Sequence, residues 1–113
     1  MSHDQLVLFT CGEMLIGVPA NHVDRVIPAS EISPLPNSPP VLSGVINIHG
    51  AITPVFNVSV RFGLPAEELH PDNFFILCNL PARKLALLTD NLVGLRDYTS
   101  GTLVPSDDVL SGL

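Results

Sequence analysis

The sequence predicts an all-β fold built from seven or eight short strands. Apolar runs follow one another at close intervals, and Gly or Pro residues interrupt them repeatedly. Two of the breaks, Gly12-Glu13 and His49-Gly50, are typical of tight β-hairpin turns. Eleven prolines and eight glycines also break every stretch that could form a long helix. Short strands in this arrangement are typical of a small barrel or sandwich.

The first predicted hairpin joins residues 5–10 to residues 14–18. Residues 19–27 follow, and we expect them to begin as a short helix and continue as a strand. Pro19 suits the first turn of that helix, and the next apolar residues fall at helical spacing. Residues 30–40 contain four prolines, which fix φ and remove backbone donors. This segment is therefore predicted to be an extended connector.

The second predicted hairpin joins residues 44–48 to residues 51–55. Gly50 can supply the positive φ that its turn requires. Residues 58–62 are then predicted to form one helical turn, with Asn57 as N-cap, Gly63 as the C′ residue and Pro65 as the stop.

A third predicted hairpin joins residues 74–80 to residues 85–89. Both are continuous apolar runs, which indicates strands that are buried on both faces. Residues 92–98 are expected to add one more strand. The polar segments 66–73 and 99–108 are predicted to be loops.

Composition narrows the possible partners. The formal net charge is −6, so the chain lacks the basic surface that nucleic acid or anionic lipid would require. Charged residues make up 14% of the chain, against about 25% in ordinary globular domains. We therefore expect some apolar surface to remain uncovered, which usually marks a site for a protein partner.

The sequence predicts a cytoplasmic protein without membrane insertion. Polar residues interrupt every apolar run before it reaches the length of a membrane span, and the N-terminus lacks the pattern of a secretion signal. Cys11 and Cys78 lie inside apolar runs without CxxC spacing. They are predicted to be buried free thiols.

Enzyme motifs are missing from the sequence. The four histidines are scattered, and HExxH, GxSxG and glycine-rich phosphate loops do not occur. We therefore predict no catalytic residue, no cofactor and no metal. The one alternative for a metal is the polar loop that contains Glu67, Glu68, His70 and Asp72, whose irregular spacing does not specify a coordination geometry.

Residues 44–65, GVINIHGAITPVFNVSVRFGLP, carry a resemblance to a known family. The segment resembles the signature of the CheW-like domain, the coupling module of bacterial chemotaxis, which is commonly written G-V-x-N-L-R-G-x-x-x-P-V-x-D-L-R-x-R-F-G. Three polar positions depart from that pattern. His49 replaces Arg, Asn57 replaces Asp, and Ser59 replaces a second Arg. The resemblance extends over nearly the whole chain.

The resemblance implies one domain over residues 1–113, made of two small five-stranded SH3-like β-barrels side by side with short helical turns. It also implies a non-catalytic adaptor that couples the cytoplasmic tip of a chemoreceptor to the regulatory domain of a CheA-type histidine kinase. By motif position, the implied protein interface comprises Val23, Arg25, His49, Gly50, Phe74 and Phe75. Arg25 stands where the family commonly has an acidic residue, so the charge pair expected in the groove between the barrels is altered.

The end of the chain repeats an earlier segment, since VLSGV at residues 41–45 recurs as VLSGL at residues 109–113. In the family, the last part of the chain returns to complete the first barrel. We therefore expect the last strands of that barrel to be missing and the domain to be C-terminally incomplete. An open barrel edge would favour a homodimer.

Two alternatives to the adaptor function stay open. One is a homo-oligomerising CheW-like β-module with divergent partners, and the other is a small-ligand carrier that uses the groove between the barrels.

Overall fold

The computed structural model describes residues 4–65 and 69–98. The expected all-β class is confirmed, because strands make up most of this part of the chain. In chain order the strands are β1 (Asp4–Cys11), β2 (Met14–Pro19), β3 (Val23–Pro28), β4 (Leu42–Ile48), β5 (Ala51–Asn57), β6 (Phe74–Asn79), β7 (Lys84–Thr89) and β8 (Asn91–Tyr98). A 3-10 turn at Ala20–His22 and a short helix, α1 at Val58–Arg61, complete the described elements.

The strands form two sheets. The smaller sheet has the order β2-β1-β8, and the larger has the order β3-β6-β7-β5-β4. All three predicted hairpins are present as antiparallel pairs, namely β1 with β2, β4 with β5, and β6 with β7. The larger sheet also contains one parallel pair, β5 with β7. This pair connects the second hairpin to the third.

The expected pair of closed five-stranded barrels is not found in the described residues. The smaller sheet contains three described strands rather than five, and β8 lies at its edge. The larger sheet has the expected five strands, but its outer strands β3 and β4 are not paired with each other. The architecture is therefore two sheets, of which the larger has five strands.

The two sheets pack against each other across the larger of two hydrophobic clusters. Phe9 and Val18 from the smaller sheet meet Ile76, Leu85 and Leu87 from the larger sheet, and all five side chains are fully buried. Burial of each such side chain stabilises the fold by roughly 1.5–3 kcal/mol. This interface holds the two sheets together.

A second cluster covers the opposite face of the larger sheet. Val55, Phe75 and Ala86 are fully buried there, and Ile27 and Ile32 pack against them from outside the central strands. Strands β6 and β7 thus bury both of their faces, as their continuous apolar sequences predict. The larger sheet is the core of the domain.

The proline-rich connector runs from one outer strand of the larger sheet to the other. The backbone N–H of Ala29 donates to the carbonyl oxygen of Asn73 at 2.9 Å, next to the β3 side of the sheet. Further along, Ser33 and Val45 exchange two backbone hydrogen bonds of 2.9 Å, which attaches the connector to β4. Gly44 has φ +152°, and a Cβ at this position would collide with the carbonyl oxygen of Ser33. The connector is therefore only partly extended, because turns interrupt it at residues 36–37 and 40–41. Its contact with β4 requires glycine at position 44.

Helix α1 begins and ends where the sequence predicts, although the contact made by the Asn57 side chain differs from a cap. Gly63 has φ +80° and donates its N–H to the carbonyl oxygen of Val60, while the N–H of Leu64 donates to that of Ser59, which together form a Schellman motif. Asn57 occupies the N-cap position, but its side chain makes no capping hydrogen bond. Instead, its Oδ1 lies 2.5 Å from the hydroxyl oxygen of Ser59.

Residues 19–27 form a helical turn that continues as a strand, as predicted. The helical part is the 3-10 turn Ala20–His22, and β3 begins at Val23 and pairs with β6. The loop at 99–108, the VLSGL repeat at 109–113, and Glu67 and Glu68 of the alternative metal loop lie outside the described residues.

Candidate functional site

A cavity of about 250 Å³ lies at one end of the larger sheet. The residues that line it come from the starts of β3, β5 and β7 and from the ends of β4 and β6. These strand ends meet because β6 runs antiparallel to β3 and β7, whereas β5 runs parallel to β7. The topology of the sheet thus places five strand ends around one cavity.

Charged side chains surround this cavity. Arg25 and Asp24 come from β3, Lys84 begins β7, and His49 lies in the turn between β4 and β5. The Nε of Arg25 is 3.9 Å from Oδ2 of Asp24, and both side chains are about half exposed, at 47% and 61%. An exposed ion pair at this distance contributes little stability. The guanidinium of Arg25 therefore remains available to a ligand or partner.

The turn that carries His49 has a defined geometry. His49 has φ +50° and Gly50 has φ +87°, so both central residues of this two-residue hairpin loop are left-handed. Oδ1 of Asn47 accepts a 2.7 Å hydrogen bond from the N–H of Gly50, which further fixes the turn. Histidine is among the side chains that tolerate positive φ better than most. The turn holds His49 beside the cavity.

The floor of the cavity is apolar. Ile48, Leu77 and Leu85 line it, and the last two are buried residues of the hydrophobic core. Cys78 also contributes, and burial raises the pKa of its thiol from an ordinary value of 9.0 to about 12. This thiol is therefore neutral near pH 7 and is not an activated nucleophile. Cys11 is likewise a buried cysteine, as the sequence predicts.

The structure brings two of the six sequence-predicted interface residues to the cavity, Arg25 and His49. Gly50 lies in the same turn as His49, and Val23 begins β3 but packs partly against the main core cluster. Phe74 and Phe75 lie at the opposite end of β6 from the cavity. Phe75 is fully buried in the second cluster, so its side chain is not exposed for contact with a partner, whereas Phe74 is half-buried.

Sequence reasoning missed Asp24 and Lys84 as cavity residues. The third hairpin could have identified Lys84. In this hairpin Asn79 pairs with Lys84, which places the lysine beside the end of β6. The two other departures from the family signature lie elsewhere. Asn57 and Ser59 are buried, and the Ser59 hydroxyl also lies 2.9 Å from the carbonyl oxygen of Pro65. These two residues support the α1 segment rather than the cavity.

No group of three or more His, Cys, Asp or Glu side chains in the described part of the chain is placed to hold a metal ion. None of its helices is long and apolar enough to cross a membrane.

Comparison with known proteins identifies relatives across most of the chain. Residues 5–111 match the CheW-like domain family. Chemotaxis protein CheW of Treponema pallidum is 26% identical over 96% of this chain and 66% of its own length, and that of Rhizobium meliloti is 26% identical over 95% and 69%. The scaffolding protein TtCheW of Thermoanaerobacter tengcongensis has a similar crystal structure, with a TM-score of 0.79, 25% identity and coverage of 88% of this chain and 65% of that one.

The chain thus spans about two-thirds of the length of these relatives. The family match covers nearly all of this chain, and the TM-score shows that the TtCheW structure has a similar fold over most of it. The signature segment forms the β4–β5 hairpin and α1, and its turn reaches the cavity. The chain therefore belongs to the CheW-like domain family.

Proposed function

We propose that this chain is a non-catalytic cytoplasmic adaptor that couples the tip of a chemoreceptor to a CheA-type histidine kinase. The observation that carries the proposal is the convergence of Arg25 and His49 at one cavity, in a chain that belongs to the CheW-like domain family. The names of its relatives, which are chemotaxis and scaffolding proteins, support a binding role rather than catalysis.

The proposed receptor site is the cavity with its charged rim. Val23 and Gly50 extend this site along β3 and around the hairpin turn. Phe74 begins β6, at the end of that strand away from the cavity. Phe75 would contribute indirectly, because its buried ring holds β6 in the sheet. The kinase regulatory domain would bind a different surface, so that receptor and kinase are held by the adaptor at the same time. The two sheets would correspond to the two SH3-like barrels of the family.

A binding experiment tests this proposal. The purified chain is mixed with cytoplasmic tip fragments of the chemoreceptors of its source organism, with and without the CheA-type kinase. We expect a binary complex with each partner, and we expect receptor fragments to be retained on immobilised kinase only when the chain is present. The double variant Arg25→Glu/His49→Glu should lose the receptor fragment and keep the kinase. If neither partner binds, the adaptor proposal is wrong.

A homo-oligomer is the second candidate, and strand β8 is the observation that favours it. This strand lies at the edge of the smaller sheet, and Leu92, Val93 and Leu95 are exposed by 43%, 44% and 55%. An exposed apolar edge can pair with another chain, although the register shift beside Val93 bends this one. Light scattering over a tenfold range of protein concentration tests this. A dimer that Leu95→Lys dissociates would support it, and a monomer throughout the range would exclude it.

The third possibility, a small-ligand carrier, gains no support from the cavity. Its volume of about 250 Å³ falls below the roughly 300–1,000 Å³ of ordinary small-molecule pockets.

A further inference from the structure

We propose that Asn37, in the proline-rich connector, is a site of spontaneous deamidation. The backbone nitrogen of the next residue, Ser38, attacks Cγ of the Asn37 side chain, and the NH2 group leaves as ammonia together with the proton of the attacking nitrogen. Water then opens the resulting succinimide ring, at one carbonyl carbon to give aspartate and at the other to give isoaspartate. The reaction consumes only water and does not depend on the proposed adaptor role.

The residue that follows each asparagine carries the first step. Ring closure is slow where the next side chain is bulky, because that side chain shields the attacking backbone nitrogen. Asparagine occurs seven times in the chain, and an Ile, Val, Phe or Leu follows it at five positions, Asn47, Asn57, Asn73, Asn79 and Asn91. Asn21, before His22, and Asn37, before Ser38, are the two exceptions. The sequence thus leaves two candidates.

The backbone distinguishes these two candidates. Ring closure requires rotation about ψ of the asparagine, so it is opposed wherever backbone hydrogen bonds fix that angle. Asn21 lies inside the 3-10 turn Ala20–His22, which a backbone hydrogen bond closes. Asn37 lies outside every described strand and helix, and the N–H of Ser38 has no backbone acceptor among the described residues. Rotation at Asn37 therefore breaks no backbone hydrogen bond of the Ser38 N–H.

The side chain of Asn37 is also unrestrained. The side-chain oxygens of Asn47 and Asn73 each accept a 2.7 Å hydrogen bond from a backbone N–H, which holds those amides in place. Asn37 is exposed, and its amide makes no hydrogen bond within the described part of the chain. Its φ of +60° is left-handed, a conformation that aspartate tolerates about as well as asparagine does. The amide is free to approach Ser38, and the aspartate product fits the native backbone.

The two products alter the connector differently. Aspartate adds a negative charge to residues 30–40, in which Glu31 is the only charged residue. Isoaspartate instead routes the main chain through Cβ and Cγ of residue 37, which lengthens the backbone directly before Ser38. The hydroxyl of Ser38 donates to the carbonyl oxygen of Leu35 at 3.0 Å, and the longer backbone disturbs this contact. We therefore expect isoaspartate, and not aspartate, to lower the free energy of unfolding.

Slow incubation of the purified chain tests the proposal. The folded chain and a chain unfolded in guanidinium chloride are kept at mildly alkaline pH and physiological temperature for several weeks. Tandem mass spectrometry of proteolytic peptides locates the replacement of NH2 by OH, and methylation by a protein isoaspartyl methyltransferase measures isoaspartate. Ser38→Val is the matched variant, because it keeps Asn37 and places a β-branched side chain beside the attacking nitrogen. Circular dichroism checks that the variant is folded.

We expect the folded parent to form aspartate and isoaspartate at position 37 while Asn21 stays intact. In the unfolded chain both positions should react, because the 3-10 turn no longer protects Asn21. Ser38→Val should lose most of the conversion at position 37. In urea denaturation, Asn37→Asp should unfold with the parent, whereas the isoaspartate fraction should unfold at a lower urea concentration.

Three results would overturn the proposal. If Asn37 of the folded chain reacts no faster than Asn79 or Asn91, which are exposed but lie in strands, its place in the connector gives it no advantage. If Asn37 reacts only in the unfolded chain, the folded connector protects it. If Ser38→Val reacts as fast as the parent and forms aspartate alone, water hydrolyses the amide directly and no ring forms.

Discussion

Arg25 and His49 line the same cavity although they come from opposite edges of the five-stranded sheet. Arg25 lies on β3, His49 directly follows β4, and the order β3-β6-β7-β5-β4 separates the two strands by three others. A flat sheet would hold these strands at least four interstrand spacings apart, roughly 19 Å. The larger sheet is therefore strongly curled, and its curvature creates the cavity.

This relationship predicts that receptor binding depends on the side chain of His49, because it shares the rim of the cavity with Arg25. Calorimetric titration with the receptor tip fragment measures the affinity.

The matched variants for this experiment keep the turn intact. His49→Asn tolerates the positive φ of this position and removes the imidazole, so it should weaken receptor binding. His49→Arg restores the residue of the family signature and should strengthen binding. His70→Gln removes an exposed histidine outside the cavity and should bind as the parent does. If His49→Asn binds as tightly as the parent, His49 does not contact the receptor.

The close approach of the connector predicts a large loss of stability for Gly44→Ala. The added Cβ would collide with the backbone of Ser33, and rigid backbone on both sides leaves little room for adjustment. We expect a loss of about 3 kcal/mol or more in the free energy of unfolding. Urea denaturation followed by circular dichroism measures it.

The control for this prediction is Gly63→Ala. Gly63 also has positive φ, at +80°, but a Cβ there would meet nothing within 4 Å. Gly63→Ala should therefore lower the free energy of unfolding only by the cost of backbone strain, about 1–2 kcal/mol. Equal losses for the two variants would show that the contact with Ser33 does not constrain position 44.

The buried polar contact between Ser59 and Asn57 predicts that Ser59→Ala moderately lowers the free energy of unfolding. The substitution removes the hydroxyl shared between Oδ1 of Asn57 and the carbonyl oxygen of Pro65. Loss of a buried hydrogen-bonding group of this kind costs about 1–3 kcal/mol. Ser38→Ala removes a more exposed hydroxyl that donates to the carbonyl oxygen of Leu35. It should lower the free energy of unfolding by less than Ser59→Ala does. Denaturation curves that place Ser38→Ala at or below Ser59→Ala in stability would contradict the prediction.

The raised pKa of Cys78 predicts an unreactive thiol in the folded protein. In a Cys11→Ala variant, which leaves Cys78 as the single cysteine, iodoacetamide at pH 8 should label the folded chain far more slowly than the urea-unfolded chain, as mass spectrometry can follow. Because the pKa of this thiol is higher in the folded state, its contribution to stability is complete below about pH 9. That contribution should disappear as pH rises toward 12. Rapid labelling without urea would show that the thiol is accessible.

Sequence patterns were sufficient for elements whose signals are local. The three hairpins followed from apolar runs joined by Gly12, Gly50 or a polar turn, and the end of α1 followed from Gly63, because each depends on residues close in the chain. The parallel pairing of β5 with β7 and the contact of the connector with β4 join distant segments, which leave no periodic signal in the sequence.

The same distinction applies to the candidate site. Arg25 and His49 could be identified through the resemblance to the family, but their position at one cavity depends on the curvature of the whole sheet. Asp24 and Lys84 were not among the residues that the resemblance implied. Asn57 occupies the expected N-cap position, but its side-chain oxygen contacts the Ser59 hydroxyl and makes no capping hydrogen bond.

The pairing of β1 with β8 has a consequence during synthesis on the ribosome. Gln5 hydrogen-bonds to Asp97, a residue 92 positions later, and β1 is the central strand of its sheet. At ordinary translation rates, roughly 5–18 s pass between the synthesis of these two residues. Throughout that interval the β1 edge of the β1–β2 hairpin is unpaired and its apolar face is uncovered, because the second half of the chain has not yet been synthesised. A nascent chain in this state is a natural substrate for chaperones, and crowded synthesis without them should favour its aggregation.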